Sequence, residues 1–368
     1  MYPEFLRELY AAGPGLADRS YDEQLRRLLD TGFGHADAYS EGMGRLGVEA
    51  IDVIADAEIL QLRWAEEHDL SLPDDPRERL RRIVAAQVAH HRPDILYVFE
   101  WSPLGDAFLA EAKRGVRLLV GQVASPLPPN RTYAAYDLMI SSYPPLVEHF
   151  RRRGKRAEHV KLGFDERILE TLPPHLADGV RSREESGVAK RRYDVTFIGG
   201  FAPSHTDRVA WLERVLREVS VDVFGYGIAR VPEQSIIRRH FRGPAWGRTM
   251  YDVLRASRIT LNLHARIDAA GEVLAPAANN MRLFEATGVG TCLLTDDRPN
   301  LADLFTPDRE VLTFRDSDEC VEKLRHHLAD EPARRTIAEA GHARTLREHT
   351  YRRRMTELLA VLERHLTM

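Results

Sequence analysis

Short apolar runs alternate with amphipathic helical stretches, stop, and then begin again; this constrains the chain more than any other feature. In the first half, Ile95–Phe99, residues 116–120 and residues 138–142 read as strands. Helical spacing occupies residues 21–29, 51–68, 77–89 and 144–152, with Leu80, Ile83, Val84 and Val88 on one stripe of the third. Strands alternating with helices imply parallel βαβ units. From about residue 166 to 192 the pattern dissolves into Pro, Gly, Arg and Glu, as in a linker. The alternation then resumes with strands at residues 195–198, 221–224, 259–263 and 292–295, and with a helix from about residue 206 that turns Val209, Leu212, Leu216 and Val219 inward. The expected fold is α/β, two Rossmann-like parallel-sheet domains facing each other across a cleft, because such sheets bind ligands beyond their strand carboxyl ends. The boundaries read as 1–165, a linker over 166–192, 193–348, and a terminal helical segment over 349–368 that packs back across the domains.

With 368 residues the chain has length for two ordinary domains. An apolar content of 43% and a charged content of 29% belong to a soluble globular protein, and a formal net charge of -4 gives no electrostatic case for nucleic acid or an anionic membrane. The two cysteines, Cys292 and Cys320, cannot build a disulfide framework. No apolar run approaches the roughly 20 residues that span a bilayer, and Met1-Tyr2-Pro3-Glu4-Phe5 has no features of a secretion signal. The expected location is cytoplasmic.

The run Asn279-Asn280-Met281-Arg282-Leu283-Phe284-Glu285-Ala286-Thr287-Gly288-Val289-Gly290-Thr291 places an acid and a base on a short helix that leads into an apolar strand. Glu285 is suited to accept hydrogen bonds from two ribose hydroxyls, and Arg282, one turn earlier, to reach a phosphate; the plainer alternative is an amphipathic helix with a surface acid. Gly199-Gly200 follows a strand and precedes a helix, the pattern of a phosphate-binding turn, although neither Gly-x-Gly-x-x-Gly nor a P-loop is present. Arg208 in the first turn of that helix is the preferred diphosphate ligand, and His205 is either a helper or a capping-region residue. Gly225 ends another strand and either makes room for a base or ribose or serves a tight connection. Asn262 and His264 alternate with Leu261 and Leu263, so both side chains point to one face; His264 is either part of a polar site or a satisfied structural histidine.

Metal chemistry is not expected: no pair of histidines has zinc-ligand spacing beside an acid, and Asp316-Ser317-Asp318 reads as the N-cap of the helix over 319–328. No nucleophile elbow occurs, and neither cysteine has an evident activating partner. In the first half, Gly32-Phe33-Gly34-His35-Ala36-Asp37 offers an imidazole and a carboxylate in one loop, so that His35 or Asp37 could deprotonate an acceptor hydroxyl. The alternative is a loop that caps the next helix through Asp37 or Ser40. Glu100-Trp101-Ser102 and Gln122, at strand ends, are further candidates for the lip of a cleft.

Phe197-Ile198-Gly199-Gly200, His205 with Arg208, Leu261-Asn262-Leu263-His264, Asn280-Met281-Arg282-Leu283-Phe284-Glu285-Ala286 and His349-Thr350-Tyr351-x-x-Arg354 resemble the C-terminal half of CgeB-like glycosyltransferases, which belong with the group-one transferases of GT-B fold. The resemblance covers residues 193–362 most closely. It implies a nucleoside diphosphate sugar held mainly by the C-terminal domain, an acceptor held mainly by the N-terminal one, and no cofactor or metal. Helix N-termini and basic side chains would then offset the leaving diphosphate. Glu285 falls where the second acid of the group's Glu-x7-Glu motif contacts the donor ribose. The first acid falls at Ala277, a departure that leaves open the contacts to the transferred sugar and the retaining outcome usual in the group. The reading is a hexosyl or related transferase acting on a saccharide or other hydroxyl acceptor. A nucleotide-sugar epimerase on the same fold, or a binding module that kept the architecture and lost the reaction, remain the alternatives; Ala277 favours the second.

Overall fold

The computed structural model describes residues 2–99, 104–172, 192–202, 207–269 and 271–367. The chain forms two compact units, Met1–Val160 with Met355–Met368, and Lys161–Arg354.

The first unit is built on four parallel strands, β1 (Ile95–Phe99), β2 (Leu118–Gln122), β3 (Leu138–Ser141) and β4 (Ala157–His159), in the order β1-β2-β3-β4. Every residue of β2 and β3 is buried, which explains why both read as continuous apolar runs rather than alternating ones. The helix Tyr21–Leu29 begins with a capping box, in which the Ser20 hydroxyl accepts from the Glu23 N–H while the Glu23 side chain accepts from the Ser20 N–H. Asp75 and Pro76 start the helix Pro76–His91 in the same economical way, with Asp75 accepting two first-turn N–H groups. The helix expected over residues 51–68 is shorter, Glu58–Glu67. Residues 51–57 instead form a loop, held by Gln61 Nε2 donating to the Ile54 carbonyl at 3.1 Å and by the Ser40 hydroxyl donating to Asp52. The terminal helix Tyr351–Leu366 gives its later turns to this unit, and Gly42 leaves no room for a side chain against Met355, where a Cβ would stand 2.5 Å from Cγ.

The second unit carries β5 (Tyr193–Ile198), β6 (Asp222–Phe224), β7 (Ser257–Asn262), a small antiparallel pair β8 (Asp268–Ala269) and β9 (Glu272–Val273), then β10 (Cys292–Asp296) and β11 (Leu312–Phe314). The main sheet is parallel, in the order β11-β10-β7-β5-β6. The chain leaves β5 toward β6 and returns to the other side of β5 as β7. The boundary between β5 and β7 is therefore the switch point at which open parallel sheets form a ligand crevice beyond their carboxyl ends. The helix Met281–Gly288 feeds β10 and is buried from Leu283 to Gly288; Gly290, at φ 77°, ends it, with Thr291 N–H reaching back to the Ala286 carbonyl at 2.9 Å. Within the stretch read as a linker, Ile168–Thr171 is a short helix whose Ile168 joins Phe164 and Leu172 in the core; the charged residues around it obscure this apolar spacing in the sequence. Residues 173–191 lie outside the described residues.

The His349-Thr350-Tyr351-x-x-Arg354 run is structural in its contacts. Phe164 N–H donates to the His349 carbonyl at 2.7 Å, and Tyr351 N–H returns to the Phe164 carbonyl at 2.9 Å. His349 Nε2 donates to the Leu304 carbonyl at 2.8 Å, which leaves Nδ1 to accept from Arg354 at 2.8 Å, and burial pushes the imidazole pKa down to about 4.

Candidate functional site

The carboxyl ends of β5, β7 and β10 bring most of the polar residues singled out above into one place. Beyond β5, Gly199 lies on the Phe197 ring and Gly200 lies under Tyr226, where a Cβ would come within 2.9 Å and 2.2 Å of ring atoms. Arg208, at the start of the helix Arg208–Leu216, is buried, and its guanidinium stands 5.4 Å from the Phe197 ring centroid. Its Nη1 donates to the Gly200 carbonyl and its Nη2 to the Leu263 carbonyl at 2.9 Å, so one cation ties the turn after β5 to the end of β7. Burial lowers its pKa to about 10, which leaves it cationic at neutral pH, and Nε has no hydrogen-bond partner among the described residues.

Arg282 and Glu285 pair with each other at 2.9 Å on the buried helix, with side chains 13% and 7% exposed. Arg282 Nη2 also reaches the Ile198 carbonyl at 3.4 Å, which brings this pair to the Gly199-Gly200 turn. Burial raises the Glu285 pKa, and Arg282 offsets part of that rise. The surface-acid reading of Glu285 is thereby excluded.

Asn262 and His264 extend from the end of β7. Asn262 donates to Thr295 Oγ1 at 2.9 Å and accepts from Asn280 Nδ2 at 2.7 Å, so Asn280 precedes the Met281–Gly288 helix without capping it through its side chain. Asn280 Oδ1, Arg282 Nε and His264 Nε2 are buried without hydrogen-bond partners among the described residues. Such atoms are costly unless something else supplies the bonds. His264 packs against Asp296, which was not among the sequence candidates although it is a carboxylate at the end of a buried parallel strand, the position where such sheets present chemistry.

At Gly225 the tight-connection alternative is enough to require glycine. At φ 141° its missing Cβ would stand 1.9 Å from the Gly199 oxygen, so the space beside it is already filled by the neighbouring turn. His205, together with Glu100, Trp101 and Ser102, lies outside the described residues.

His35 and Asp37 belong to the first unit. The His35 ring stacks on Phe99 at 5.1 Å and meets Tyr39 edge-on at 5.3 Å, and desolvation pushes its pKa down to about 4. It is neutral at neutral pH and a weak base. Asp37 precedes the helix Ala38–Gly44, accepting the Glu41 N–H through its carbonyl at 2.9 Å rather than through its side chain. Gln122 Oε1 accepts from the hydroxyls of Tyr39 at 3.1 Å and Tyr97 at 2.5 Å. Asp316 caps its helix as expected, accepting from the N–H groups of Asp318 and Glu319. Among the described residues no group of three or more His, Cys, Asp or Glu side chains is placed to hold a metal ion, and no helix is long and apolar enough to cross a membrane.

Residues 208–360 match the model of a glycosyl transferase-like family. Similar solved structures include the HepE protein of Anabaena in complex with UDP-glucose, at 16% identity and a TM-score of 0.57, covering 84% of this chain and 89% of that one. A glycosyltransferase from Rickettsia africae has 10% identity and a TM-score of 0.59, covering 89% of this chain and 93% of that one. The fold is GT-B. No curated protein sequence matches the chain.

Proposed function

We propose that this protein is a glycosyltransferase that moves a sugar from a nucleoside diphosphate sugar to a hydroxyl of a saccharide or other acceptor. One observation carries the proposal: at the switch point of the second unit's sheet, Arg208, Arg282, Asn280 and His264 converge with buried polar atoms that lack partners among the described residues. The family match over residues 208–360 supports the same chemistry.

In this reading Glu285 accepts the ribose hydroxyls, and Arg282 and Arg208 hold the diphosphate over the Gly199-Gly200 turn. Guanidinium groups and helix N–H groups offset the charge of the leaving group, so no metal is required. Asn262 and Asn280 support the donor from the β7 side. The first unit holds the acceptor, with His35 or Asp37 as the candidate base toward its hydroxyl. Uridine is the first base to test, since HepE is described in complex with UDP-glucose.

A thermal-shift panel of uridine, guanosine, thymidine, adenosine and cytidine diphosphates and their sugars tests the donor site. One of them should raise the melting temperature in proportion to the logarithm of its concentration. If none does, the proposal fails. Incubation of the stabilising sugar nucleotide without acceptor then separates transfer from epimerisation, which alone would change the sugar under those conditions.

A further inference from the structure

Asp296, at the end of β10, ties the segment after β7 to the segment after its own strand. Its Oδ1 accepts from the His264 backbone N–H at 3.0 Å and from His264 Nδ1 at 2.7 Å, while its Oδ2 meets Arg298 Nη2 at 2.5 Å. Burial alone would raise the Asp296 carboxyl, but His264 and Arg298 hold it below the usual carboxylate range. An ionised carboxylate can only accept, so Nδ1 of His264 carries a proton, and two bonds to one oxygen fix the ring's orientation. Nε2 is left as the working atom, on a side chain only 2% exposed, with no partner among the described residues.

The charged groups around this imidazole are Asp296 and Arg298 on the β10 side, Arg208 bonded to the adjacent Leu263 carbonyl, and Arg282 paired with Glu285 on the Met281–Gly288 helix. Three guanidinium groups against two carboxylates leave one positive charge in excess. A nucleoside diphosphate sugar carries a negative charge on each phosphate. The released diphosphate gains most of another, because a terminal phosphate has its second ionisation near pH ~6. With a neutral His264 the site falls about two positive charges short of the departing diphosphate; an imidazolium would halve that shortfall.

We propose that His264 is a catalytic residue of the transfer, its imidazolium Nε2–H donating to the β-phosphate oxygen that gains charge, and that Asp296, bridged to Arg298, is the positioning residue that holds it there. The anomeric carbon–oxygen bond breaks with its electron pair left on that oxygen. The acceptor oxygen forms the new bond to the anomeric carbon and gives its proton to the acceptor-side base proposed above, while His264 keeps its own. This rests on the donor-site reading given above.

Calorimetric titration of the stabilising nucleoside diphosphate, and of the matching monophosphate, tests the proposal in two buffers of different ionisation enthalpy, using wild type, H264Q, D296N and the double variant. Wild type should take up protons on binding the diphosphate. H264Q should lose that uptake and weaken diphosphate binding by about tenfold, with the monophosphate nearly unchanged. D296N should weaken diphosphate binding as H264Q does, and the double variant no further, because Asp296 acts through His264. Diphosphate affinity of H264Q within about twofold of wild type, equal losses for both nucleotides, or additive losses in the double variant would each overturn the proposal. Should D296N not fold, H264Q alone decides. Failure of wild type to bind any of the diphosphates would instead sink the donor-site reading itself.

Discussion

Replacing Glu285 by Gln separates the two roles a buried carboxylate can have here, and the structure sets the expected magnitudes. Hydrogen bonds to a charged acceptor contribute about 1.5–3 kcal/mol each, against roughly 0.5–1.5 for neutral ones. If Glu285 accepts from two ribose hydroxyls, the amide should lose about 2–3 kcal/mol of nucleotide binding. The same change frees Arg282 from its 2.9 Å pair, and a guanidinium released onto the phosphates returns roughly 1 kcal/mol. The net expectation is about a fivefold to thirtyfold weaker nucleoside diphosphate, with inorganic pyrophosphate bound as well as before or slightly better. The fold should lose only about 1–2 kcal/mol, because the Gln oxygen still accepts from Arg282. Glu285→Ala, which strands a buried cation, should cost about 3–5 kcal/mol. Calorimetry with the nucleotide and with pyrophosphate, beside urea denaturation, reads all of these. A Gln variant that binds the nucleotide like wild type but unfolds more easily would refute the ribose assignment and leave Glu285 as the counter-ion of Arg282 alone.

Gly225→Ala forces a Cβ into the Gly199 oxygen at a φ of 141°, so it should destabilise the second unit by about 3 kcal/mol or more and abolish nucleotide binding, as denaturation and thermal shift would report. Arg208→Met replaces a cation that, among the described residues, is bonded to the Gly200 and Leu263 carbonyls by a side chain of similar length; diphosphate affinity should fall about a hundredfold while stability changes by less than about 2 kcal/mol. His349, depressed from 6.5 to about 4, binds fewer protons folded than unfolded between those values, so its contribution is complete above pH 6.5 and lost as the pH falls toward 4, by about 3 kcal/mol. An H349N variant should flatten that part of the urea-midpoint profile.

β2, β3 and β10 were legible because buried parallel strands are apolar throughout and these are buried at every position, whereas β4, β8, β9 and β11, of two or three residues each, are too short to show a pattern. Residues 51–57 were not, since Ile51, Val53 and Ile54 fit a helical stripe while the side chain of Gln61 and the Ser40–Asp52 contact hold a loop instead, with Ile51 52% exposed. The Arg282–Glu285 pair could be read because its partners are one helical turn apart. The His264–Asp296 pair could not, because its members are separated by 32 positions and meet only through the pairing of β7 with β10. The demand for glycine at position 225 was hidden for the same reason: turn chemistry is local, but the atom that demands glycine there belongs to Gly199.

The strand order decides why these separate motifs form one site. Alternation alone is compatible with any arrangement of β5, β6, β7, β10 and β11. In the observed order, β7 lies between β5 and β10, so Asn262 pairs with Thr295 in register while Phe197 lies opposite Leu261 on the other side. Three carboxyl ends are thereby set side by side, and Arg208 reaches across from the β5 turn to the Leu263 carbonyl while Asp296 reaches back to His264. Had β6 been inserted between β5 and β7, Arg208 could not have bonded both carbonyls, and the cationic turn would have stood apart from the asparagines and the histidine. The candidate site is therefore a property of the crossover that places β7 on the far side of β5, and the local motifs supply the groups that this crossover brings together.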